Sequence, residues 1–236
     1  MTIWLTLILG AYFLGSVPAA YVVARLARDI DLRQYGTGQV GGGNLWRMTS
    51  WRFGLPVGAF DFSKGLLMVW AAQAAGLDIA QQIAVGLAVV IGHNWSVFLR
   101  FSGGRGVATA IGVILILPVI NDLTPWVAVA FLTVLVTGVV LLHSSALPIL
   151  LGTAVTPLVS LFYEPLSVTI GFLAIFLIIV TKRLTAPKPE ETTPTNKRRL
   201  LLYRLLFDRD IGDRKAWMYR SPPKTGDPEP AGRKKG

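Results

Sequence analysis

Two glycine-rich stretches hold most of the residues in this chain that could bind an anion. The first, GTGQVGGGNLWR, occupies 36–47 and combines five glycines with hydroxyl, amide and guanidinium groups. Glycine allows positive φ angles and lets backbone N–H groups approach a ligand closely, which is how anion-binding nests form. The polar side chains nearby suit phosphate oxygens. The stretch therefore indicates a phosphate cradle, with a merely flexible loop as the alternative. Its candidate residues are Thr37, Gly38, Gly41, Asn44 and Arg47.

The second stretch, GHNWSVFLRFSGGRGVATA, occupies 92–110 and leads directly into an apolar segment. A helix that begins there has a partly positive N-terminus with unpaired N–H groups. The spacing and the missing Lys-Ser/Thr pair exclude a P-loop. A short basic hairpin that only fixes topology is the alternative, and His93 is either a packing residue or a general base. The candidate residues are His93, Gly103, Gly104, Arg105, Gly106 and Thr109.

Two further polar positions interrupt apolar sequence. Asp61 and Lys64 are three residues apart and share a helix face. Because ionisable groups inside a membrane are costly, such residues face a partner or a wet cavity. We expect a structural ion pair from Asp61 and phosphate binding from Lys64. Pro18 follows Ser16 inside the first apolar segment and predicts a kink that either lines a cavity or only packs.

The elements that must position these residues are membrane helices. Of the 236 residues, 53% are hydrophobic and 15% are charged, whereas a soluble domain carries about a quarter charged residues. Long uncharged apolar runs are typical of transmembrane helices. We predict an all-α polytopic membrane helix bundle of about seven transmembrane helices. The spans are expected near 3–24, 54–76, 79–99, 106–121, 125–142, 146–163 and 166–181.

The orientation follows from the basic residues. Apart from Lys64, just inside the second span, every Lys and Arg lies in an odd-to-even connection or in the tail. The alternate connections contain no basic residue, and their charged residues are Asp78, Asp122 and Glu164. The positive-inside rule then places the N-terminus outside and the C-terminus in the cytoplasm. Topology and attraction to anionic lipid headgroups explain the net charge of +10, so no nucleic acid is expected as a partner.

Taken together, these residues resemble the PlsY-type family of bacterial membrane acyltransferases that use acyl-phosphate. The family's opening Gly-Ser-x-Pro is matched by 15–18, and its Asp-x-x-Lys-Gly by 61–65. In its first active-site motif, Thr37 replaces Ser and Gln39 replaces Asn. In its second motif, Arg105 replaces Lys. The matched positions of the two motifs are Gly36, Gly38, Gly41, Asn44, Arg47, Gly92, His93, Phe98, Leu99, Phe101, Gly103, Gly104, Gly106, Val107, Ala108 and Thr109.

The resemblance implies acyl transfer from acyl-phosphate to the sn-1 hydroxyl of glycerol 3-phosphate, giving lysophosphatidic acid at the cytoplasmic face of the cell (inner) membrane. It implies catalytic roles for Thr37, Arg47, His93 and Arg105, with His93 or a substrate phosphate oxygen as the base. No metal or cofactor is expected. The implied substrate-binding residues are Ser16, Gly38, Gly41, Asn44, Lys64, Gly103, Gly104, Gly106 and Thr109.

One departure leaves other functions open. The family's third motif, His-Arg-x-Asn, would fall near 181–184, where the chain reads TKRL and has neither the His nor the Asn. Reduced activity, an altered acceptor, a non-catalytic paralogue or a small anion transporter are the alternatives. We expect domain 1–183 to carry the site. The basic tail 184–236 is expected to hold an interfacial helix over 197–208 and otherwise unstructured chain, with no chemistry.

Overall fold

The computed structural model describes residues 2–186 and 196–220, and regular structure in these ranges is helical throughout. A short 3₁₀ turn at Val97–Leu99 follows α5. The helices are α1 (Thr2–Ser16), α2 (Ala19–Arg28), α3 (Gly42–Met48), α4 (Trp51–Ala74), α5 (Ile79–Asn94), α6 (Val107–Ile120), α7 (Trp126–Leu142), α8 (Ala146–Tyr163), α9 (Leu166–Leu184), α10 (Lys197–Phe207) and α11 (Arg214–Met218).

The long helices present apolar side chains outward, as expected of membrane spans. Among the described residues, four segments are long and apolar enough to cross a bilayer: Thr2–Arg28, Ile79–Leu99, Ala146–Tyr163 and Leu166–Leu184. The helices α6 and α7 are apolar but shorter. Phe162 is 80% exposed and Leu141 is 76% exposed. Large apolar side chains on the outside of a bundle are stable only against lipid or another protein.

The first apolar segment is broken where the sequence predicts a kink. α1 ends at Ser16 and α2 begins at Ala19, because Pro18 has no N–H to continue the helix. The carbonyl of Val17 that the break frees accepts a hydrogen bond of 2.7 Å from Lys64 Nζ. A charged side chain of α4 thus closes the break in the neighbouring helix.

The bundle core depends on two close helix crossings. A Cβ atom on Gly15 of α1 would lie 2.2 Å from Val89 O of α5, and one on Gly92 would lie 2.2 Å from Tyr12 O. In the same way α4 and α6 meet at Gly65, whose added Cβ would lie 2.1 Å from Thr109 O. Small residues allow helix backbones to approach closely in membranes, where van der Waals contact replaces the hydrophobic driving force.

The tail beyond α9 folds back onto the bundle. The expected helix over 197–208 is present as α10, but it packs against α8 and α9, with Leu200 buried. Beyond it, α11 and its flanking residues replace the unstructured chain expected at 209–220. Ion pairs such as Arg204–Asp210, 2.5 Å, supply contacts that composition alone does not show. Residues 221–236 lie outside the described ranges.

Candidate active site

The glycine-rich loop before α3 is held in shape by one buried amide. Asn44 Nδ2 donates to the carbonyls of Leu32, Tyr35 and Gln39 over 3.0–3.3 Å, and its Oδ1 accepts from the backbone N–H of Thr37. Both ends of the amide are therefore used within the loop. Asn44 shapes the cradle, while Thr37 lines the cavity described below.

The second glycine-rich stretch wraps around the C-terminal end of α5. The N–H groups of Gly103 and Gly104 donate to the carbonyls of Asn94 and His93, over 3.2 and 3.0 Å. A Cβ on Gly104 would lie 2.3 Å from His93 Nε2 and 2.5 Å from Val40 O of the first loop. The glycines therefore let the chain pass between His93 and the first loop, and the two motifs are in contact.

Both motifs line one cavity of about 520 Å³. Thr37, Gly41 and Arg47 contribute from the first motif, and Arg105 and Gly106 from the second. His93 also lies on the wall. A space of this size accommodates a small polar head together with part of an acyl chain. The structure thus brings together seven of the candidate site residues that the sequence singles out, Asn44 among them.

The cavity wall has an excess of positive charge. Among its described residues there are five arginines against two carboxylates, Asp61 and Asp208; the arginines are Arg47, Arg105, Arg183, Arg209 and Arg214. Burial lowers the pKa of the Arg47 guanidinium from its ordinary value. The electrostatic interaction with Tyr219 raises this pKa, and the positive charge of Arg214 lowers it further. Neighbouring like charges without full compensation are stabilised by an anion.

Asp61 contacts two polar side chains, those of Lys64 and His93. Its Oδ1 lies 2.9 Å from Lys64 Nζ and 3.5 Å from His93 Nδ1. Asp61 and His93 line the cavity, whereas Lys64 does not. A carboxylate beside one nitrogen of an imidazole fixes which nitrogen carries the proton, and the other nitrogen is then free to accept one.

The remaining sequence candidates do not line this large cavity. Ser16 Oγ donates to Gly92 O over 3.2 Å, and Thr109 Oγ1 donates to Asp61 O over 2.9 Å. Lys64 Nζ donates to Gly15 O, Val17 O and Asp61 Oδ1. The structure does not bring these side chains, nor Gly38, Gly103 or Gly104, to the large cavity. In this arrangement Lys64 holds helices together, in contrast to the phosphate contact expected of it.

Part of the cavity wall is apolar. Val107, Ala108 and Ile111 of α6 line it, together with Leu142 of α7 and Ile149 of α8. The cavity therefore combines arginines with apolar side chains of three helices. Such a lining suits an amphipathic ligand with an anionic head and a hydrocarbon chain.

Some wall residues and contacts are not predicted from the sequence. Asp61 is expected to form an ion pair, but it is 32 positions from His93, so only the fold shows that these two residues meet. The tail supplies Asp208, Arg209 and Arg214, although the sequence gives the tail no role. The one feature of the sequence that could have indicated a role for the tail is its positive charge, and membrane topology already explains that charge.

Comparison with known proteins decides the family. A family model described as glycerol-3-phosphate acyltransferase matches residues 5–186, most of the chain. The chain belongs to the glycerol-3-phosphate acyltransferase family. The match ends just after α9, so it contains the two glycine motifs, Asp61 and His93, and it leaves out α10 and α11.

Similar proteins carry related names. Glycerol-3-phosphate acyltransferase 5 of Dehalococcoides mccartyi is 39% identical over 226 residues, 93% of this chain and 94% of that protein. The Thermus thermophilus glycerol-3-phosphate acyltransferase is 46% identical over 117 residues, 50% of this chain and 58% of that protein. The crystal structure of PlsY, an integral membrane glycerol 3-phosphate acyltransferase in its glycerol 3-phosphate form, has a TM-score of 0.70 at 30% identity. It covers 88% of this chain and 94% of the PlsY chain.

Proposed function

We propose that this family member transfers a fatty acyl group from acyl-phosphate to the sn-1 hydroxyl of glycerol 3-phosphate, releasing inorganic phosphate and lysophosphatidic acid. The observation that carries the proposal is the meeting of both glycine motifs around one arginine-rich cavity whose wall also includes apolar side chains of α6, α7 and α8. Both substrates bear phosphate, and one bears an acyl chain. The cavity offers donors for the first and a hydrocarbon surface for the second, where each buried methylene contributes about 0.8 kcal/mol.

The chemistry needs positioning more than covalent catalysis. Acyl-phosphate has a good leaving group, so one displacement is enough. We assign His93 as the base: its imidazole, oriented by Asp61, takes the hydroxyl proton as the oxygen attacks the carbonyl carbon. The C–O bond to phosphate breaks, and Arg47 and Arg105 stabilise the charge on the departing phosphate. Thr37 donates its hydroxyl to a phosphate oxygen.

The active site is placed on the cytoplasmic side of the cell membrane. The cavity wall is made by the basic loops before α3 and α6 and by the basic tail. The positive-inside rule puts such loops in the cytoplasm. Water-soluble glycerol 3-phosphate would enter there, while acyl-phosphate and the lysophosphatidic acid product exchange with membrane lipid.

The decisive experiment measures phosphate release by purified protein in detergent, with acyl-phosphate and glycerol 3-phosphate supplied together. We expect release, with lysophosphatidic acid formed in equal amount, and loss of both when either His93→Gln or Arg47→Ala is introduced. Folded wild-type protein that binds glycerol 3-phosphate without turnover would identify a non-catalytic paralogue. Uptake of glycerol 3-phosphate by vesicles without product would identify a transporter.

A further inference from the structure

The tail forms part of the cavity wall, which neither the sequence nor the family model indicates. The tail segment, defined here as 196–220, lies beyond the matched region 5–186. It nevertheless contributes Phe207, Asp208, Arg209, Arg214, Trp217 and Met218 to the cavity. The alignment with the Dehalococcoides relative spans 226 residues, more than the matched region contains. The alignment with this relative therefore extends beyond the matched region and into the tail.

The tail segment is fixed to the rest of the protein by hydrogen bonds near both of its own ends. Arg183 Nη1 donates to Leu205 O over 2.7 Å, and Arg204 Nη1 donates to Leu184 O over 2.9 Å, so α9 and α10 hold each other reciprocally. Near the C-terminal end of the segment, the N–H of Gly36 donates to Arg220 O over 2.7 Å. These bonds connect the tail segment both to α9 and to the first glycine-rich loop.

Asp208 connects the tail segment to two positions where the chain departs from its family motifs. Arg105 Nη2 lies 3.0 Å from Asp208 Oδ1, and Gln39 Nε2 donates to Asp208 Oδ2 over 3.0 Å. The side chains of the ion pair are 12% and 15% exposed. Gln is longer than the Asn it replaces, and Arg is longer than Lys and offers a planar fork of donors. Both replacements therefore extend toward the carboxylate of the tail segment.

The tail segment adds one carboxylate and two guanidinium groups to the cavity wall. Asp208 is used by Arg105 and Gln39, while Arg209 and Arg214 line the cavity as further cations. Arg47 lines the same cavity, and the charge of Arg214 lowers the pKa of Arg47, so these cations repel one another. An anionic ligand would offset that repulsion.

We propose that the tail segment is a working part of the substrate site. Asp208 docks it on Gln39 and Arg105, and Arg209 and Arg214 bind the phosphate of a substrate together with Arg47. The tail segment thereby supplies phosphate-binding groups in a chain that lacks the His and Asn of the third family motif near α9. The identity of the phosphate, on glycerol 3-phosphate or on acyl-phosphate, depends on the proposed function and is separated by the test below.

The test compares neighbouring cations of α11 in the full chain. Arg214 lines the cavity, whereas Lys215, the next residue, does not. We expect Arg214→Ala and Arg209→Ala each to raise the KM of one substrate about tenfold, since a hydrogen bond to a charged group contributes on that order. Lys215→Ala should leave both KM values within about twofold. Titrating each substrate separately shows which phosphate the tail segment binds.

Direct binding of glycerol 3-phosphate and of inorganic phosphate, measured by calorimetry in detergent, keeps the inference independent of turnover. If the wild type binds without catalysing transfer and Arg214→Ala still weakens binding of either probe, the proposed reaction fails and the tail site stands. If both arginine variants match Lys215→Ala in KM and in affinity for both probes, the inference is overturned. A lower KM in either variant would instead show an inhibitory cover and would also overturn it.

Discussion

At the scale of single residues, the structure separates side chains that face the cavity from those that hold its wall. Thr37, Arg47 and His93 face it. Asn44 and Lys64 have their polar atoms occupied by protein groups. A polar residue type inside a motif therefore does not reveal whether it contacts a ligand or shapes the loop that does. Two substitutions distinguish these roles.

For a residue that faces the cavity, we predict that Arg47→Ala lowers kcat/KM by about 10- to 100-fold, because a hydrogen bond to a charged group contributes about 1.5–3 kcal/mol. Arg52→Ala is the matched control, since Arg52 lies nearby, stacks on Trp51 and does not line the cavity. Steady-state kinetics of phosphate release provide the measurement. Equal losses in both variants would remove Arg47 from the site.

For a residue behind the wall, we predict that Lys64→Met destabilises the protein by about 3–5 kcal/mol, because it leaves Asp61 buried without its ion-pair partner. Thermal unfolding in detergent shows the loss, with Ser63→Ala as the control on the same helix. The folded fraction should still bind glycerol 3-phosphate within about twofold of the wild type. A variant of normal stability with weak binding would instead assign Lys64 to the phosphate.

At the scale of elements, two backbone crossings set the position of His93 and Asp61, to which we assign the proton transfer. α5 carries His93, and its crossing with α1 at Gly15 and Gly92 fixes where that imidazole lies. α4 carries Asp61, and its crossing with α6 at Gly65 brings it beside the second glycine motif. Because these contacts involve main-chain atoms, a side chain at the crossing would move a whole helix.

The crossing between α1 and α5 gives a stability prediction. We expect Gly15→Ala to lower the unfolding free energy by about 1–3 kcal/mol, as is typical of overpacking, and to reduce turnover by displacing His93. Gly10→Ala on the same helix is the control, since nothing lies within 4 Å of its added Cβ. Thermal unfolding in detergent and initial rates measure both effects. A Gly15→Ala protein as stable and active as Gly10→Ala would show that the helices tolerate separation.

At the scale of the whole molecule, orientation in the membrane determines which compartment supplies the soluble substrate. The basic loops and the tail segment gather at the end of the bundle that holds the cavity. The carboxylates Asp122 and Glu164 lie in the connections that the positive-inside rule assigns to the outside. The predicted orientation thus places glycerol 3-phosphate entry and the cytoplasm on the same side.

The chain contains no cysteine, which makes this orientation directly testable. We predict that Asp122→Cys reacts with a membrane-impermeant maleimide on intact spheroplasts. Asp29→Cys, another exposed aspartate in a connection, should react only after the membrane is permeabilised. The reverse labelling pattern would place the cavity outside and contradict a cytoplasmic active site.

The long helices, the break at Pro18 and the two glycine-rich motifs can be predicted from the sequence, because each depends on neighbouring residues. Hydrophobic runs set helix positions, proline and glycine set their ends, and the motifs keep most of their family spacing. The fold was needed to show which polar groups line the cavity and that the tail segment contributes to its wall. Asp61 meets His93, and Asp208 meets Arg105, across long separations in the chain. Local patterns carry no record of such contacts, since they arise only when distant helices pack together.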